Sequence, residues 1–103
     1  MMNEITVQEL QEKMLAHTPL ILVDVREPHE NEEYNIGGVN IPLSELPFRI
    51  EELKALGDGE IVLYCNSGSR SILAQKLLAT QFKIDTACSL VGGVHAWKEV
   101  YPE

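Results

Sequence analysis

"LILVDV" (Leu20 to Val25) and "EIVLYC" (Glu60 to Cys65) are two apolar, β-branched runs, each leading into a polar stretch. Both lack polar alternation and are too short for a typical helix, so each reads as a strand buried on both faces. That pattern belongs to a parallel sheet. Amphipathic segments fill the space around them. "EITV" is a short strand candidate, followed by Thr6 and Glu9 as a capping box. The helix it opens carries Val7, Leu10 and Met14 on one face and ends before Pro19. "PHENEEYN" reads as a short acidic helix opened by Pro28, with a solvated face, and "GGVNIP" as a short strand. A helix from about Ser44 buries Leu46, Ile50 and Leu53, accepts Pro47 in its first turn and stops at Gly57. From Ser69, "SRSILAQKLLAT" places Leu73, Ala74, Leu77 and Leu78 on one helical face. "TACSLVGG" is the last strand, and "VHAWKEV" a closing helix with Trp97 in the core. Strands alternating with helices define an α/β fold with a parallel sheet and helices on both faces.

The 103 residues suffice for one domain, spanning 1–103, with a single core. A net charge of −8 without a basic stripe argues against nucleic acid and anionic membranes as partners. No apolar run approaches bilayer length, and "MMNEITVQEL" lacks the pattern of a secretory signal. Cys65 and Cys88 are too few for a disulfide scaffold and are not spaced as zinc ligands. A reduced, cytoplasmic protein without metal or organic cofactor is the expectation.

Ligands of parallel α/β sheets bind beyond the carboxyl ends of the strands. Two such ends carry chemistry here: "DVRE" (Asp24 to Glu27) and "CNSGSR" (Cys65 to Arg70). A thiol at a strand-to-helix turn faces unpaired backbone N–H groups and the positive end of a helix dipole. Gly68 lets the backbone curl so that successive N–H groups form an anion-binding nest, and Arg70 adds a fixed positive charge. Such a cradle stabilises negative charge on sulfur. A buried structural cysteine beside a capping turn is the simpler alternative, but "NSGSR" is poor packing material. Arg26 either positions an anionic donor or pairs with Asp24, Glu27 or Glu30. Asp24 reads as a loop brace, His29 and His95 as surface or packing residues, and Cys88 as a packed thiol.

Four stretches in order, "LVDVREPHE", "GGVNIPLSELP", "IVLYCNSGSRS" and "LVGGVHAW", resemble a single-domain rhodanese, a sulfurtransferase, over essentially the whole chain. The resemblance implies a five-stranded parallel sheet flanked by helices, with Cys65 as the sulfur-carrying nucleophile. It implies that Arg70 closes the loop and that Asp24 and Arg26 lie near its base and rim. The related dual-specificity phosphatases have a loop one residue longer, wide enough for phosphate. Here only Asn66, Ser67, Gly68 and Ser69 separate cysteine from arginine, a cradle suited to the outer sulfur of a persulfide. Many rhodaneses carry basic residues where this chain has Asn66 and Ser69, so capture of dianionic thiosulfate should be weakened. Asn35 also stands where the family commonly has histidine.

The expected activity is transfer of sulfane sulfur from a small donor, thiosulfate or a persulfide, to a thiol or cyanide-like acceptor through a Cys65 persulfide. Backbone N–H groups of Asn66 to Arg70 would hold that persulfide. The alternative is a persulfide-carrying or sensing module that acts with a protein partner in sulfur relay, without efficient turnover.

Overall fold

Val23 and Leu63 lie side by side in parallel register, which puts the two apolar runs at the centre of the sheet. The structure, a computed structural model, describes residues 3–102. Its strands are β1 (Asn3–Ile5), β2 (Leu20–Asp24), β3 (Val39–Asn40), β4 (Glu60–Tyr64) and β5 (Cys88–Leu90). The helices are α1 (Val7–Leu15), α2 (Pro28–Glu33), α3 (Ile50–Lys54), α4 (Ser69–Phe82) and α5 (Gly93–Val100). All strand pairs are parallel, in the order β1-β5-β4-β2-β3.

Alternation of side chains along each strand makes both faces apolar, as the unbroken hydrophobic runs require. Ile21, Val23, Val25, Leu63 and Cys65 pack on one face beneath Leu46, Ile50, Leu53, Ala74 and Leu78. Val62, Tyr64 and Leu90 pack on the other against Val7 and Leu10 of α1 and Val94 and Trp97 of α5. Each fully buried aliphatic side chain stabilises the fold by about 1.5–3 kcal/mol relative to exposure. The Thr6–Glu9 capping box forms as expected, with both reciprocal hydrogen bonds present.

Two expectations need correction. The segment from Ser44 is not one helix. A 3-10 turn over Leu46–Phe48 contains Pro47, and α3 starts only at Ile50. Arg49 between them has φ −123, outside the helical region, yet Leu46, Ile50 and Leu53 are buried as expected. The buried face of α4 is also rotated from the sequence reading: Ser71, Ala74, Gln75 and Leu78 face inward, whereas Leu73 is 54% exposed. Two polar anchors set this rotation. Ser71 bonds into the loop and to Ser89, while Gln75 Nε2 donates to the carbonyls of Asn3 (2.6 Å) and Ala87 (2.7 Å), tying down the edge strand β1. Hydrophobicity alone cannot reveal anchors made of serine and glutamine.

Candidate active site

Strand β4 runs between β2 and β5, so its carboxyl end delivers Cys65 to a fixed place in the middle of the sheet edge. The loop from Cys65 turns through Gly68, whose φ of +111 is a left-handed conformation that L side chains rarely adopt. This turn brings the Gly68 N–H to 3.1 Å from Cys65 Sγ, and α4 then starts directly at Ser69. Ser71 in its first turn donates a second N–H to the sulfur at 3.4 Å. The Ser71 hydroxyl lies 3.8 Å from Sγ, 3.0 Å from the Gly68 carbonyl and 2.7 Å from the Ser89 hydroxyl. Among the described residues no acceptor engages the N–H groups of Ser67, Ser69 or Arg70.

The outward side of the loop is held by α5. Val94 N–H donates to the Cys65 carbonyl (2.8 Å) and His95 N–H to the Asn66 carbonyl (3.0 Å). These two bonds satisfy N–H groups at the N-terminus of α5 and fix the first two carbonyls of the loop. Gly93 makes this approach feasible. A Cβ there would come within 2.2 Å of the Cys65 oxygen, and its φ of +56 is again left-handed.

Two ion pairs flank the loop. Asp24 and Arg26 are buried, with Arg26 Nε donating to Oδ1 (2.9 Å) and Nη2 to Oδ2 (2.7 Å). Arg26 Nη2 also donates to the Tyr34 carbonyl and Nη1 to Asn66 Oδ1 (3.0 Å), while its guanidinium lies 5.7 Å from the Tyr64 ring centroid. Burial pulls the Arg26 pKa down, but hydrogen bonds and charge from Asp24 outweigh it and hold it above the ordinary value. In the second pair, Arg70 Nη1 and Nη2 donate to Glu30 Oε1 (2.7 Å) and Oε2 (3.0 Å). Asn66 Nδ2 donates to the same carboxylate at 2.8 Å. Hydrogen bonds from Arg70 hold Glu30 far below the usual carboxylate range, at about 2, against the opposing effect of partial burial. Asp24, Arg26, Asn66, Glu30 and Arg70 thus form one continuous chain of hydrogen bonds around the thiol loop.

The sequence-predicted residues therefore meet at one end of the sheet, with different partners than expected. Asp24 pairs with Arg26, the first of the three carboxylate partners that the sequence offered for that arginine. Arg70 is not a free cation but half of an ion pair. Asn66 is no vacant rim position, because both ends of its side chain are bonded. The donors that reach Sγ are Gly68 and Ser71, the latter outside the expected stretch Asn66 to Arg70. Ser67 and Ser69 are exposed, as are His29 and His95. Asn35, exposed, donates its side-chain amide to the Asn31 carbonyl at 3.0 Å. Cys88 packs on the opposite face of the sheet, where burial first and Glu60 second push its thiol up to about 11. The sequence offers Glu30 only as a possible partner of Arg26, and its pairing with Arg70 is what sequence reasoning missed. The acidic helix looked uniformly solvated, yet Glu30 and Asn31 turn toward the site, Asn31 Nδ2 donating to Asp24 Oδ2 at 2.9 Å. The same Glu30 carboxylate accepts the Glu27 N–H as a capping box, a spacing visible in the sequence.

A family model described as "Rhodanese-like domain" matches residues 6–100. A curated protein named "Sulfurtransferase", from Allochromatium vinosum, is 33% identical over 98 residues, covering 94% of this chain and 89% of that protein. The Drosophila persimilis protein "Adenylyltransferase and sulfurtransferase MOCS3" is 35% identical over 101 residues, covering 92% of this chain but 22% of that protein. Among solved structures, the human single-domain sulfurtransferase TSTD1 superposes with a TM-score of 0.79 at 26% identity, covering 95% of this chain and 96% of that one.

Proposed function

The chain belongs to the rhodanese-like sulfurtransferase family, and from that premise we propose that Cys65 carries sulfane sulfur as a persulfide between a donor and a thiophilic acceptor. The carrying observation is the sulfur of Cys65 lying 3.1 Å and 3.4 Å from the N–H groups of Gly68 and Ser71 at the head of α4. Donors so placed stabilise a sulfur anion without a histidine base. In the first step the Cys65 thiolate attacks the outer sulfur of thiosulfate or of a persulfide. The new S–S bond forms as the old one breaks, and sulfite or a thiolate leaves with the bonding pair. In the second step an acceptor such as cyanide or a thiolate attacks the outer sulfur, and the Cys65 thiolate leaves in turn. The N–H groups of Ser67, Ser69 and Arg70 are free to hold that outer sulfur between the steps. Asp24 and Arg26 act as braces of the loop, not as reactants.

Cys65 is only 1% exposed, which favours a second reading: a carrier that loads sulfur and delivers it to a protein partner without rapid turnover. Two measurements on the purified chain separate the readings. Intact mass after incubation with thiosulfate or an organic persulfide should rise by one sulfur atom, and Cys65→Ser should show no such gain. Cyanide should then yield thiocyanate over many turnovers if the chain is an enzyme, and one equivalent per loaded chain if it is a carrier. A wild-type protein that gains no sulfur from any donor refutes both.

A further inference from the structure

Both guanidinium groups of the site already face carboxylates. Arg26 is held by the buried Asp24, and Arg70 by Glu30 through two hydrogen bonds of 2.7 and 3.0 Å. Glu30 is not a loose surface partner. Its carboxylate also accepts from Asn66 Nδ2 (2.8 Å) and from the Glu27 N–H (2.8 Å), so four donors fix it in place. The low pKa of Glu30 keeps it ionised at every pH where a thiol could react. Arg70 sits in the first turn of α4 beside Ser71, whose N–H reaches Cys65 Sγ at 3.4 Å, and it shares the Glu30 carboxylate with Asn66 of the loop, so Glu30 occupies the cation that an incoming anion would otherwise meet at the mouth of the loop. The chain as a whole, at −8, supplies no compensating attraction.

We infer that Glu30 is the donor-specificity residue of this site: by neutralising Arg70 it selects sulfur donors carrying a single negative charge and disfavours dianionic thiosulfate. The inference rests on the sulfur-transfer reading above and concerns only which donor loads Cys65. A dianion must either displace Glu30, which four donors hold, or approach the sulfur beside a cation already neutralised by that carboxylate. A monoanion of the same bond chemistry forgoes roughly half as much attraction from that cation. An organic thiosulfonate is such a donor, because it also offers an outer sulfur on a sulfonyl group.

The experiment compares thiosulfate with benzenethiosulfonate, both with cyanide as acceptor, in wild type, Glu30→Gln and Glu30→Asp. Glutamine keeps an acceptor for the Glu27 N–H and removes the charge. Aspartate is one methylene shorter and loosens the contact with Arg70, so a folded variant remains for the test if one of them fails. The kcat/KM for thiosulfate should rise about three- to tenfold in Glu30→Gln, and by less in Glu30→Asp. The gain for benzenethiosulfonate should be smaller in each, and the difference between donors should shrink as salt is added. Glu32→Gln, which removes an exposed charge from the same helix, should not reproduce the effect. Equal gains for both donors, a salt-independent gain, the same gain in Glu32→Gln, or no gain in any folded Glu30 variant would overturn the assignment. In each of those outcomes turnover of benzenethiosulfonate leaves the sulfur-transfer reading standing. A wild type inactive with both donors and never loaded with sulfur would remove that reading first.

Discussion

Gly93 lies against Cys65 so closely that the loop and the N-terminus of α5 share one space, with 2.2 Å between a would-be Cβ and the Cys65 carbonyl oxygen. The Asn66 carbonyl oxygen would be 2.7 Å from the same atom. Neither obstacle is a flexible side chain that could swing away. Gly93→Ala is therefore expected to destabilise the protein by about 2–4 kcal/mol, from left-handed backbone strain and forced displacement of the loop. Urea unfolding midpoints measure this, and activity of the folded fraction should fall with it. A variant within about 0.5 kcal/mol of wild type would mean that the loop does not sit on α5 in solution.

The two cysteines divide cleanly by position. Cys65 directly follows β4, with the N–H groups of Gly68 and Ser71 on its sulfur, while Cys88 is on the other face of the sheet with its Sγ 3.3 Å from Glu60 Oε2. Cys65→Ser should abolish thiocyanate formation with an unchanged melting profile. Cys88→Ser keeps a donor to Glu60 and should retain most of the activity. Equal activity loss in both variants would assign a chemical role to Cys88.

Acid should weaken the contact between Glu30 and Arg70 in a defined window. The Glu30 pKa is depressed in the folded state, to about 2 from 4.5. A depressed carboxylate pKa adds stability above the unfolded value and loses it as pH falls toward the folded one. The lost part should be about 1–2 kcal/mol between pH 6 and pH 3 once solvent screening of this partly exposed pair is allowed for. Glu30→Gln lacks this contribution, so its stability should decline less over the same range. Parallel pH profiles for the two proteins would count against the pair as a stabilising contact.

Asn66→Arg looks helpful when only the sequence is considered, because it restores a cation to the loop. The tertiary contacts reverse the expectation. Arginine offers no acceptor for Arg26 Nη1, now 3.0 Å from Asn66 Oδ1, and sets a second guanidinium beside it. Loss of that bond should cost about 1–2 kcal/mol in unfolding experiments. Thiosulfate kcat/KM should not rise, since the loop geometry is disturbed as the cation arrives. A stable variant with several-fold better thiosulfate use would show that Asn66 is not part of the brace.

The alternation of buried runs with amphipathic helices determined the parallel sheet, because a strand hydrophobic on both faces is stable only between two layers of helices. The Cys65–Gly68–Arg70 spacing likewise located the candidate site, since strand ends in such sheets gather loops at one edge. Local signals written over three or four residues, such as the Thr6–Glu9 capping box, were also legible. The partner of each charge was not. Glu30 and Arg70 are 40 residues apart, and nothing in an acidic hexapeptide marks which carboxylate turns inward. The rotation of α4 was equally hidden, because Ser71 and Gln75 fix it through bonds to Ser89, Ala87 and Asn3. Periodicity reports which faces are apolar, which is a local property of the chain. Ion pairing and close backbone approach depend on which distant segments share a volume, and only the folded chain brings those segments together.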